Sequence, residues 1–117
     1  MMCLKDALFD YKQKVNSNTR LRGLLKGWEP CIHIFAMDTD IEYYLTVRDS
    51  FVEDIYDGDP GVQKHLIKLE ATQNELEQIF SGNTNPANSF LEGNLAVYSD
   101  DKDQVKLDAI SLVLWGL

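Results

Sequence analysis

"CIHIFAMDTDIEYYLTVRD", residues 31–49, decides the fold class, because here the apolar period changes from helical to two. Ile32, Ile34 and Ala36 alternate with Cys31, His33, Phe35 and Met37; Tyr43, Leu45 and Val47 alternate with Tyr44, Thr46 and Arg48. Such alternation describes half-buried strands, and the short polar linker Asp38-Thr39-Asp40 joins the two runs as a hairpin. Downstream, "SFVEDIYD" follows through Asp49-Ser50 as a third strand. "DGDPG" is dense in turn residues, and "KHLIKLEA" sets His65, Ile67 and Leu69 against Leu66, Lys68 and Glu70 as a fourth strand. The local order predicts a four-stranded antiparallel meander.

Outward from this block the period is helical. Leu4, Ala7, Leu8, Tyr11 and Val15 form one apolar stripe of about three turns, stopped by the turn-prone "NSNT". In "RLRGLLKGWEP", Gly23, Gly27 and Pro30 allow only a short helical turn and an entry loop carrying Trp28. On the other side, Thr72 and Glu75 have capping-box spacing ahead of the stripe Leu76, Ile79 and Phe80, and Gly82 stands at the helix end. "NPANSFLEG" is a shorter helical turn opened by Pro86 and closed at Gly93. "NLAVYS" is a fifth strand, and "DDKDQVKLDAISLVLWG" is a closing helix whose Asp100, Asp101 and Asp103 complement its N-terminal dipole. The pattern predicts one α+β domain over residues 1–117: a five-stranded, mostly antiparallel sheet with helices packed on one face.

The closing helix poses the functional question. At about 100° per residue, Leu107, Ala109, Ile110, Leu112, Val113, Leu114 and Trp115 occupy nearly the whole circumference, whereas a surface helix keeps one wet face. Leu107, Ile110 and Leu114 fall within about 60° of each other; Ala109, Leu112 and Val113 point elsewhere. A sheet can cover one set. The other needs a ligand, a partner chain or a second copy.

Composition narrows the choice. A net charge of −8 opposes a nucleic-acid partner, which is held by Lys and Arg, and opposes docking on anionic lipid. The start "MMCLKDALFDYKQKV" lacks the apolar core of a signal peptide. The closing apolar run is far shorter than the ~20 residues that span a bilayer. The expectation is a soluble cytoplasmic protein with no stable membrane insertion. Cys3 and Cys31 form no CxxC and read as apolar thiols.

The stretch "LEQIFSGNTNPANSFLEGNLAVYSDDKDQVKLDAISLVLWG", residues 76–116, resembles the C-terminal half of the sterol carrier protein type 2 family of lipid-binding domains. The resemblance rests on Gly82, Pro86, Phe90, Gly93 and Leu95, with Ser89 beside Phe90 where Ala is common. The hairpin, "FVEDIYDGDP" and the "IKLEA" strand are similar in order, so it runs from Trp28 to Trp115. One departure is the turn "SDDKD", where the family commonly has a Gly. The resemblance implies an apolar tunnel flanked by the closing helix, walled by Phe80, Phe90, Leu91, Leu107, Ile110 and Leu114. It implies non-enzymatic binding, and transfer, of a fatty acid, an acyl-CoA or a sterol-like lipid. Desolvation would drive it, each buried CH₂ contributing ~0.8 kcal/mol against ~4–15 kcal/mol of association entropy. The alternative is an interaction module or homodimer that uses the apolar C-terminal helix.

Catalytic signals are weaker. His33 and His65 lack a partner at helical spacing, and no zinc motif, phosphate loop, dinucleotide fingerprint or nucleophile elbow occurs. No cofactor and no metal are expected. Asp38, Asp40 and Glu42 imitate the first ligands of a calcium loop, but Tyr43 stands where Gly is needed and Asp49 where Glu is. Cys31 and His33 share a strand face, which leaves a thiol hydrolase as a third reading. Tyr43, Tyr44, Tyr56 and Tyr98 offer hydroxyls to a headgroup or to water.

Overall fold

The two periods produce two kinds of element. The computed structural model orders them α1 (Leu4–Asn16), α2 (Thr19–Leu25), β1 (Cys31–Ala36), β2 (Ile41–Arg48), β3 (Phe51–Asp57), β4 (Leu66–Ala71), α3 (Gln73–Phe80), α4 (Pro86–Leu91), β5 (Ala96–Tyr98) and α5 (Asp101–Trp115). The structure describes residues 3–63 and 65–115, with the side chains of α5 described as far as Asp108.

Local chemistry sets the boundaries. The whole predicted stripe of α1 is buried. Ser17 Oγ donates to the Gln13 carbonyl at 2.8 Å at its end, and Asn18 Oδ1 accepts from Leu21 N–H to open α2. Thr72 Oγ1 accepts from Glu75 N–H at 3.2 Å, one arm of the expected capping box. The other arm reaches elsewhere. Glu75 Oε1 accepts from the Ser89 hydroxyl at 2.6 Å and so ties α3 to α4. Gly82 follows the α3 C-cap with φ +90°, a conformation that a Cβ disfavours.

The sheet order is β3-β2-β1-β4-β5. β1/β2, β2/β3 and β4/β5 pair antiparallel, while β1/β4 pair parallel, with Cys31 opposite Leu66 and Ala36 opposite Ala71. The sheet is therefore mostly antiparallel, as expected, but the four-stranded meander is wrong. β4 skips β3 and β2 to lie beside β1. The reason is edge chemistry. A meander would put β1, buried along almost its whole length, at an edge of the sheet. The observed order centres it and gives the edge to β3, where only Val52 and Ile55 are buried among Glu53, Asp54 and Asp57. Charged edges resist further strand pairing.

The crossover must carry the chain from Asp57, opposite Tyr43, to Leu66, opposite Cys31. Gly58 N–H donates to the Glu42 carbonyl at its start, and Cys31 N–H to the His65 carbonyl at its end. The turn aspartates are structural. Asp38 Oδ1 accepts from Gln73 N–H at 2.8 Å, pinning the hairpin to the start of α3.

Ile32, Ile34, Ala36, Leu45, Val47, Ile67 and Ala71 form the inner face of the sheet and are buried in the main core. The helices pack on this face. The opposite face carries a His33 Nε2–Glu42 Oε1 contact at 3.0 Å, stacked Tyr44 and Tyr56 rings, and Lys68 over the Phe35 ring.

Candidate functional site

The helices do not fill the inner face. Between them and the sheet lies a cavity of about 460 Å³, inside the usual range of small-molecule sites. Ile32, Leu45, Leu69 and Val97 reach it from four strands; Leu76, Ile79 and Phe80 reach it from α3. Pro86, Ala87, Phe90 and Leu91 of α4 border it, as do Leu95, Leu107 of α5 and Tyr11 of α1.

Three local devices hold this space. First, Ser89 anchors α4: its hydroxyl reaches Glu75, and its carbonyl accepts from Asn94 and Leu95 N–H at 2.8 and 3.1 Å. Ser89 is 1% exposed, and α4 is fixed there with Phe90 and Leu91 beside the cavity. Second, Asp103 anchors α5. The sequence assigned it to the helix dipole, but it is buried and accepts the Trp28 indole N–H at 2.7 Å. Asp100 Oδ1 caps the Asp103 N–H at 2.8 Å, and Lys106 Nζ donates to the Leu24 carbonyl. Third, Tyr11 meets the Phe80 ring edge-to-face at 5.1 Å. Burial pushes the Tyr11 hydroxyl up to about 12, because a phenolate is poorly solvated there.

Of the six expected wall residues, Phe80, Phe90, Leu91 and Leu107 border the cavity. Phe80 is buried, while Phe90 and Leu91 are 52% and 81% exposed, as residues at a mouth are. Ile110 and Leu114 lie outside the described side chains. Sequence reasoning missed Tyr11, Ile32, Leu45, Leu69, Leu76, Ile79, Leu95 and Val97 as lining. Their periodicity was visible, but periodicity marks an inward side chain without saying whether it meets atoms or space.

The polar lining is short. Gln104 Nε2 donates to Asp108 Oδ1 at 3.0 Å, and Gln104 Oε1 accepts from Ser99 Oγ at 3.4 Å. Cys31 and His33 are not here: they alternate with Ile32 and face away from the cavity. His33 is engaged by Glu42. Burial pushes the Cys31 thiol up, away from the thiolate that a nucleophile requires. Among the described residues, no group of three or more His, Cys, Asp or Glu could hold a metal ion. Among them, too, no helix is long and apolar enough to cross a membrane.

No protein-family model matches the chain, and no curated protein matches it. Solved structures do. UbiJ-SCP2, a ubiquinone synthesis protein, superimposes with a TM-score of 0.70 at 11% identity, over 95% of this chain and 94% of that one. Palmitated SCP2L2 from Aedes aegypti gives 0.64 at 10% identity, over 94% and 95%. The stereoselective inverting sec-alkylsulfatase Pisa1 from Pseudomonas sp. gives 0.55 at 16% identity over 82% of this chain. There the chain spans only 14% of the enzyme's length. UbiJ-SCP2 and SCP2L2 match from end to end and so cover the sheet and its helices alike; the chain has the fold of the sterol carrier protein type 2 domains.

Proposed function

We propose that the protein binds the apolar body of a lipid in the cavity between its sheet and α3, α4 and α5, and passes that lipid on without changing it. One observation carries this reading: an apolar space of about 460 Å³ inside a small domain, with Phe90 and Leu91 exposed beside it. Interiors are normally close-packed, so an apolar space of this size has a use. The fold supports the reading, since the SCP2L2 protein that shares it was solved in a palmitated form. Catalysis is disfavoured by position, because the thiol–imidazole candidate lies across the sheet from the cavity and Cys31 is held as a neutral thiol.

Organic extraction of the purified protein followed by mass spectrometry identifies a carried lipid. The variant Val97→Trp tests the place. Val97 is half-buried in β5 and borders the cavity, so an indole there fills space rather than displacing core. Expected is at least a tenfold weaker binding of an uncharged fluorescent lipid probe in a folded variant. Unchanged affinity would exclude this cavity as the site.

A further inference from the structure

Resting on the reading of the cavity as a lipid site, we infer that Asp108 makes it selective against anionic headgroups, and that its ligand is an uncharged lipid headed by a hydroxyl. Among the described lining residues, Asp108 is the only one with a formal charge. The remaining stretch of α5 supplies no cation, since "AISLVLW", residues 109–115, contains no Lys, Arg or His. Lys106, the lysine nearest in sequence, has its ammonium on the Leu24 carbonyl at 2.8 Å. Across α3, Lys14 is paired with Asp10 at 3.0 Å. The chain as a whole carries −8. A lipid carboxylate or phosphate therefore arrives beside a like charge with no counter-charge among the described lining residues.

The polar pair also has a shape. Gln104 commits one amide N–H to Asp108 Oδ1 and its carbonyl oxygen to Ser99 Oγ. By the donor and acceptor inventory of these groups, a second amide N–H and the other carboxylate oxygen remain. A hydroxyl complements that set: it donates to the carboxylate and accepts from the amide. A carboxylate head can only accept, so it leaves the Asp108 oxygen opposed by another oxygen. Asp108 is exposed, so its field acts through water. Coulomb's law at a separation of about 6 Å in a water-like medium gives roughly threefold discrimination, rising to about tenfold as solvent is excluded.

Dodecanol and laurate share a chain length and differ in head charge. Each is titrated against a bound uncharged fluorescent probe at about pH 8, where a carboxylic acid is an anion. The proteins compared are the parent chain, Asp108→Asn and Asp108→Lys. Asp108→Asn should strengthen laurate by about three- to tenfold while leaving dodecanol within about twofold. Asp108→Lys should strengthen laurate further. About 1 M salt, with a Debye length near 3 Å, should shrink the laurate–dodecanol gap in the parent, and by less in Asp108→Asn, where only the field of the remaining net negative charge is screened. The readout is the ratio of the two affinities, which a general loss of fold cannot mimic while the probe still binds. If both ligands bind and neither variant nor salt moves the ratio, the selectivity inference is wrong and the lipid site stands. If neither displaces the probe from any form, the lipid-site reading fails and takes the inference with it.

Discussion

The inner face of one sheet is built in two ways. Toward β3, α1 lays Leu4, Ala7 and Leu8 onto the side that bears Val47, Val52 and Ile55, and all six are 7% exposed or less. Toward β5, equally apolar side chains of α3, α4 and α5 surround about 460 Å³ of space. The strands on both sides alternate alike. The covering elements differ: a thirteen-residue helix with a continuous buried stripe in the first case, and in the second a six-residue helix in which only Ser89 is buried, beside a helix anchored through Asp103. Elements held by polar anchors at Ser89 and Asp103 can stand off the sheet, where a helix with a continuous apolar stripe is drawn down onto it. Stability and binding are thereby assigned to different halves of one core.

The sharpest way to break this division is to truncate one leucine from each half. Leu8 is fully buried in α1, and Leu8→Ala should cost about 2–5 kcal/mol, the range for a core truncation that leaves a cavity. That is a large share of the ~5–15 kcal/mol that holds a small domain together. Leu91 is 81% exposed at the cavity mouth, and Leu91→Ala should fall within about 0.5 kcal/mol of the parent while weakening the probe. Chemical denaturation of both variants reads the difference. Equal costs would mean that the two halves are not distinct.

A second measurement asks what completes the hollow half. If lipid does, the thermal midpoint should climb with ligand concentration, because only the folded state binds; about 2.7 kcal/mol is gained at a hundredfold excess over Kd, several degrees for a domain of this size. If instead the apolar closing helix meets a second copy, the midpoint should climb with protein concentration and ignore lipid. Scanning both concentrations independently separates the two.

How much of this was legible in the sequence follows the same line. Alternation, stripes and Gly/Pro punctuation located the elements, and Thr72 and Pro86 placed the starts of α3 and α4. The parallel β1/β4 pairing was not predicted, because adjacency in sequence favours a meander. The signal against it lay in strand composition, with the apolar "CIHIFA" needing two neighbours and "FVEDIYD" tolerating an edge. The family resemblance pointed to Phe80, Phe90, Leu91 and Leu107. The strand residues of the lining, such as Ile32 and Leu69, could not be told from filled core, since void is a property of how elements stand apart. Asp103 does lie in the first turn of α5, as expected, but its second role was missed for a related reason. Its acceptor role needs Trp28, seventy-five positions away, and no local pattern encodes that meeting.

The smallest expected effect tests whether the halves are independent. The β2–β3 turn is the two residues Asp49 and Ser50, with φ of 53° and 66°, the geometry of a two-residue hairpin turn with both central residues left-handed. Aspartate tolerates that region, but serine does so at a cost of roughly 1–2 kcal/mol, and glycine is the residue usually found there. Ser50→Gly removes this strain. It also loosens the unfolded chain, which offsets about 0.4–1 kcal/mol of the gain. The net should be a stabilisation of about 0.5–1 kcal/mol, or a few degrees in Tm. The turn lies at the β3 edge, where Arg22 stacks on the Phe51 ring at 3.8 Å, and none of these residues borders the cavity. Probe affinity should therefore be unchanged while the midpoint rises. A several-fold change in affinity would show that tightening the filled half reshapes the hollow one, and that the cavity is a state of the whole sheet rather than of its β5 side.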